Sequence, residues 1–117
     1  MRGVFYNASS FNGDITTWKT SKVTNMESLF DGASKFNQDL SRWDTSSVTN
    51  MQETFKGAES FTGDISSWNT SNVTNMKEMF DGASKFDKAC TKNWVNKPPD
   101  TDESEEYESE VREEEDV

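Results

Sequence analysis

The chain has 117 residues and a formal net charge of −10, which allows one small domain, or one domain with a tail. Leu, Ile, Val and Phe total only 19, a balance that taken alone falls in the range of disordered chains. With no His and a single Cys, Cys90, the sequence excludes His-based acid–base chemistry, a Ser-His-Asp or Cys-His nucleophile, an intramolecular disulfide and a Cys/His zinc site.

The order of the residues points away from disorder. Phe5, Phe30, Phe55 and Phe80 lie 25 apart, as do Phe11, Phe36, Phe61 and Phe86, and Met1, Met26, Met51 and Met76. Trp18, Trp43 and Trp68 repeat at the same interval, with Asp14, Asp39 and Asp64 and with Val23, Val48 and Val73. A fixed period of this length marks a stacked-repeat architecture, in which one unit cannot bury its apolar side but neighbours in register can.

In chain order, the pattern predicts a solenoid over residues 1–96 of about three and a half repeats. These are a partial unit 1–12, full units 13–37, 38–62 and 63–87, and a closing half-unit 88–96. Within the unit read from Met26, apolar residues at 26, 29, 30 and 33 have the spacing of one face of a short helix. Asn25 is its candidate N-cap, and the glycines at 32, 57 and 82 are its candidate stops. Residues 36–43 follow a polar break and read as a strand, and 44–47 as a polar loop into Val48. Stacking these units predicts a parallel sheet of short strands, one per unit, with columns of Phe, Met and Val as the core.

The string 36–51, FNQDLSRWDTSSVTNM, resembles the repeat of mycoplasma-type surface lipoproteins. That repeat, also called the bacterial surface-protein 26-residue repeat, belongs with the BspA-like leucine-rich repeats, and the resemblance covers roughly residues 1–88. It implies a leucine-rich-repeat-like solenoid on secreted or surface-anchored proteins, used for adhesion or other protein binding. It also implies an extracellular or cell-surface location, no enzymatic activity and no catalytic residues.

The two ends differ from the middle. Met1 occupies the repeat's own Met position with no capping unit before it, so the expectation is either a fragment or an end that stacks on another chain. No signal, anchor or membrane-inserting segment is read in the chain. Residues 97–117 read as an acidic, disordered tail: from Asp100 on, eleven acids face Arg112 alone, whereas residues 1–99 balance eleven acids with eleven bases.

Repetition itself argues against catalysis, which needs unlike groups converging on one reacting atom. No cofactor and no metal is expected. The Asp14, Asp39, Asp64 column reads as turn-forming rather than as a calcium ladder. The Trp column is either core or, if turned outward, a platform for sugar or protein; the Thr columns raise ice binding as an alternative. Positions that change from unit to unit mark the solvent faces, and from them come the candidate partner-binding residues Lys19, Lys22, Arg42, Asp44, Ser47, Ser67, Asn69 and Asn72. The expected function is a non-enzymatic protein-interaction or adhesion module. The alternatives are a structural subunit packing end to end through its N-terminal edge, or an ice- or carbohydrate-binding solenoid. Nucleic acid is not expected as a partner, since residues 1–99 are neutral with no basic stripe.

Overall fold

A computed structural model describes residues 1–99. Its period is that of the sequence: each 25-residue unit forms one layer, and equivalent residues of successive layers lie over one another. Phe5, Phe30, Phe55 and Phe80 stack with ring centroids 5.6, 5.4 and 5.6 Å apart. Phe11, Phe36, Phe61 and Phe86 stack beside them at 5.8, 6.1 and 5.9 Å. Within each layer the two rings lie face to face at 4.1–4.4 Å, so the phenylalanines form one continuous double column. Met26, Leu29, Ala33, Leu40 and Val48 complete the buried set of their layer. A few large rings in register thus replace the missing aliphatics, each burying about 150–250 Å².

The expected helix is absent. Residues 26–33 instead form successive tight turns: the amides of Leu29, Asp31 and Ala33 bond to the carbonyls of Met26, Ser28 and Phe30. The intervening amides of Ser28, Phe30 and Gly32 leave the layer and donate to Gln52, Thr54 and Lys56 of the next. This alternation needs a left-handed residue twice per layer. Gly3, Ser28, Glu53 and Glu78 supply one column of positive φ, and Asn7, Gly32, Gly57 and Gly82 the other. A right-handed helix admits neither. The glycines therefore sit inside the turn run rather than ending a helix.

The expected strands are absent too. Among the described residues the parallel pairing amounts to isolated bridges, Asn25 with Asn50 and Asn50 with Asn75, and the only regular element is a 3-10 helix, Lys88–Thr91. In the stretch 36–43, layers are spaced by Phe rings about 6 Å apart, wider than the 4.7–4.9 Å of paired strands. Side chains span the difference: Asn12 Oδ1 accepts from the Asn37 amide, and Asn37 Oδ1 from the Thr62 amide, at 2.8 and 2.9 Å. The architecture is thus a stack of turn-built layers. It is not the leucine-rich-repeat-like solenoid of parallel strands and short helices that the periodicity suggested.

Backbone bonds between layers form rails. One runs from Gly3 N–H to Glu27 C=O, from Ser28 N–H to Gln52 C=O, and from Glu53 N–H to Lys77 C=O. A second links Phe5 to Leu29, Phe30 to Thr54 and Phe55 to Met79; a third links Asn7 to Asp31, Gly32 to Lys56 and Gly57 to Asp81. All nine bonds are 2.7–3.0 Å long. In each rail the accepting carbonyl and the next donating amide belong to the same peptide group, so every N–H along it points the same way. A shorter fourth rail joins Met26 to Asn50 and Met51 to Asn75.

The last layer closes on a variation. Asp87 caps the 3-10 helix by accepting from the Ala89 amide, and half-buried Cys90 packs against the core. Trp94 comes 26 residues after Trp68, one late for the repeat, yet its ring stacks on Trp68 at 6.3 Å. The helix absorbs the extra residue. Asn96 then donates from Nδ2 to the carbonyls of Thr70, Ser71 and Val73. The tail from Asp100 on, expected to be disordered, lies outside the described residues.

Gly57 tests the left-handed columns. At φ +69° it faces only Gly32 backbone at 3.5 Å, so an added methyl meets conformational strain rather than a clash. Gly57→Ala is expected to lower the unfolding free energy by about 1–2 kcal/mol, and Gly57→Asn by less, since Asn7 holds the same conformation one column end away. Urea unfolding of both variants checks the order; equal losses would contradict the strain account.

Candidate functional site

The candidate residues all lie on the side of the stack built by residues 14–24 of the first full unit and their equivalents. Its geometry comes from two turns per layer. In the first, Asp14, Asp39 and Asp64 accept through Oδ1 from the amides of Thr16, Ser41 and Ser66 at 2.9–3.0 Å. The same layers bond the amides of Trp18, Trp43 and Trp68 to the carbonyls of Ile15, Leu40 and Ile65. That chain reversal carries the indoles back onto the core, so Trp43 and Trp68 are buried at 4% exposure. Their Nε1 groups donate to the carbonyls of Ile15 and Leu40 one layer below, at 3.0 and 2.9 Å. The Trp column is core; only Trp18, in the first layer, is exposed, at 42%.

The second turn pins the layers together. Thr20, Thr45 and Thr70 are buried, and their hydroxyls donate to the carbonyls of Asp44, Asn69 and Asn96 in the next layer. A buried hydroxyl needs such a partner, which explains why Thr persists in an apolar setting. The Thr49 and Thr74 hydroxyls, on the exposed side, donate to the carbonyls of Thr24 and Thr49. Apart from Thr24, both threonine columns therefore spend their hydroxyls on the backbone.

Of the eight candidate positions, Lys19, Lys22, Arg42, Asp44, Ser67, Asn69 and Asn72 are exposed and Ser47 is half-buried. Four of them hold the scaffold. Asp44 Oδ1 accepts from the Ser46 amide and hydroxyl, and Asn69 Oδ1 from the Ser71 amide. Asn72 Nδ2 donates to the Ser46 carbonyl at 2.7 Å, and Ser67 Oγ to the Ser41 carbonyl at 3.2 Å. Lys19, Lys22, Arg42 and Ser47 make no hydrogen bond or ion pair among the described residues. What remains for a partner is a cationic group on the first two full layers, carried on a braced surface.

A second charged cluster lies on the rail side and was not singled out from the sequence. Lys56 Nζ bonds to Glu78 Oε1 at 2.9 Å and to Glu53 Oε2 at 3.3 Å, joining adjacent layers. The bond to Glu78 raises the Lys56 pKa above its ordinary value and depresses that of Glu78. Asp31, which shares the side, is pushed up by partial burial and by the Glu53 charge. The signal was one substitution: Lys56 stands where neighbouring units have Asp31 and Asp81. Among the described residues, no group of three acidic or Cys side chains is placed to hold a metal ion. No helix among them is long and apolar enough to cross a membrane.

A family model described as a Mycoplasma protein of unknown function, DUF285, matches residues 1–113, and the chain belongs to that family. No curated protein and no solved structure gives a significant match.

Asp14 and Asp64 have their pKa lowered by the hydroxyls of Thr16 and Ser66 and then by those residues' amides; Asp39 is lowered first by the Ser41 amide. A carboxylate depressed in the folded chain adds stability above its ordinary pKa of about 4, and loses it as pH falls through the folded value. Asp31, raised, works the opposite way. The melting temperature is therefore expected to fall on acidification below about pH 4. Asn keeps the Oδ1 acceptor without the charge, so the triple variant Asp14→Asn, Asp39→Asn, Asp64→Asn should show a shallower fall. An unchanged slope would mean that these turns do not carry the acid sensitivity.

Proposed function

We propose that the protein is a non-enzymatic interaction module that binds another protein through the face carrying Lys19, Lys22 and Arg42. One contrast carries this proposal: the inward columns keep their residues from layer to layer, while these exposed positions change within a surface that ladders hold rigid. Rigid presentation lowers the ordering cost of binding, and exposed cations favour a partner with an acidic patch. The resemblance of residues 36–51 to the BspA-like surface repeats supports adhesion and a place outside the cell.

A second possibility rests on the first layer. Val4, Tyr6 and Trp18 are exposed, and the rings of Phe5 and Phe11 are only half-buried. Trp18 Nε1 has no carbonyl partner among the described residues, although its equivalents in later layers all do. Such a surface suits a further layer of the same kind, from more of the same chain or from a second copy, and then the module is a structural subunit. Sedimentation across protein concentrations separates the two: a monomer at every concentration removes the second copy.

For the leading proposal, the triple variant Lys19→Ala, Lys22→Ala, Arg42→Ala should keep its melting temperature. Binding to a panel of purified extracellular proteins and to whole cells should weaken by about tenfold or more, and the wild-type signal should fall with salt. If the variant binds as the wild type does, or the wild type binds nothing on the panel or on cells, the proposal fails.

A further inference from the structure

The three rails run one way, so the two ends of the stack leave opposite groups open. At the N-terminal end the carbonyls of Arg2, Val4 and Tyr6 have no donor among the described residues, whereas Glu27, Leu29 and Asp31 one layer on each accept. At the C-terminal end the amides of Glu78, Phe80 and Gly82 have no acceptor among the described residues, whereas Glu53, Phe55 and Gly57 each have one. The Trp column runs the other way. The carbonyls of Ile15, Leu40 and Ile65 each accept twice, from the Trp amide three residues on and from the Trp Nε1 of the next layer. The Thr91 carbonyl accepts from the Trp94 amide alone, and at the opposite end Trp18 Nε1 donates to nothing among the described residues.

The two ends therefore match group for group. Three carbonyls at alternate residues and one indole N–H at the first layer answer three amides at alternate residues and one carbonyl at the last. Glu78, Phe80, Gly82 and Thr91 line a single cavity of about 590 Å³. Residues 97–99 also wall it but make no hydrogen bond among the described residues, so that wall is free to give way. The first layer already has the geometry of the interior. Phe5 and Phe11 stack at 4.1 Å, as Phe30 and Phe36 do at 4.2 Å. Trp18 meets Phe5 at 5.8 Å and 34°, as Trp43 meets Phe30 at 6.1 Å and 31°. A surface so preorganised spends little on ordering when it is covered. Two N-terminal ends would set oxygen against oxygen, and two C-terminal ends hydrogen against hydrogen. Only unlike ends pair.

We propose that the protein associates head to tail, the first layer of one copy seating in the cavity at the C-terminal end of another, so that the rails run on from copy to copy. The carbonyls of Arg2, Val4 and Tyr6 then meet the amides of Glu78, Phe80 and Gly82, as Lys77, Met79 and Asp81 already meet Glu53, Phe55 and Gly57. Trp18 Nε1 meets the Thr91 carbonyl. This inference rests on the second reading above and deepens it, naming the partner as a second copy and the surface that receives it. Because each joined pair keeps one free end of each kind, the contact is heterologous and growth is open-ended.

A variant of the full chain blocked at one end tests it. Val4 and Tyr6 are 52% and 57% exposed, so Val4→Glu with Tyr6→Glu should keep the melting temperature while burying two charges in the joint. Sedimentation of the wild type should show mass rising with concentration beyond a dimer, while the variant alone stays monomeric. The variant keeps its C-terminal end, so mixing it into the wild type should shorten the assemblies. In isotope-labelled variant, unlabelled wild type should slow amide exchange at Glu78, Phe80 and Gly82 by about tenfold and leave Ser28, Phe30 and Gly32 unchanged. A wild type that is monomeric at every concentration overturns the proposal together with the second-copy reading. Association that stops at a dimer, with exchange at Glu78, Phe80 and Gly82 unaltered, overturns the head-to-tail joint alone and leaves the first layer as a contact between like ends.

Discussion

The structure depends on one constraint: a peptide group in each layer must accept from the layer before and donate to the layer after. Three rails meet it without interruption from Gly3, Phe5 and Asn7 to Lys77, Met79 and Asp81. Because the bonds run between layers, their geometry holds only if successive layers have the same outline. That requirement reaches every other feature. It keeps the period at 25 residues, fixes left-handed backbone at two positions per layer, and makes ring size at the Phe columns a matter of register as well as of burial. Each rail bond is worth about 1 kcal/mol net, so their strength lies in number and in mutual alignment.

Much of this was legible in the sequence. The period and the inward columns of Phe, Met and Val follow from the spacing alone. The return of Trp43 to the core was open, because a straight strand turns it outward and a chain reversal after Ser41 turns it inward; the Trp43 amide bond to Leu40 decides for the reversal. The secondary structure was not legible. Apolar spacing of three, four and seven is shared by a helix and by a run of tight turns that faces one side to the core. The residues that break the tie, Ser28, Glu53 and Glu78, take positive φ without being glycine. Nothing in their identity announces it. The strand failed for a different reason: Asn12 and Asn37 replace backbone partners, and an Asn column looks the same whether it trims a sheet or stands in for one.

The candidate face was half legible. Variation between units picked out exposed positions except at half-buried Ser47, yet Asp44 and Asn69 differ in identity while doing one job, since both offer an Oδ1 to an amide two residues on. Variation in name therefore overstated freedom in role. Lys19, in the same column, lacks that acceptor and is free in both senses. The Lys56 cluster escaped notice for the converse reason: its charges looked like ordinary surface polarity until stacking brought Glu78 to the amine that Glu53, three residues away along the chain, already meets. Charge pairs between units are invisible along a single chain unless the vertical register is already known.

The equivalence of Asn7, Gly32, Gly57 and Gly82 has an evolutionary consequence. Because each unit presents above what it receives from below, an in-frame gain or loss of one whole unit by recombination between like repeats restores every interlayer bond at the new junction. Lengths that are not whole units break the rails at once. Selection on such a gene can therefore change how far the molecule reaches without changing how it folds, and the exposed positions of each added unit arrive as fresh material for divergence.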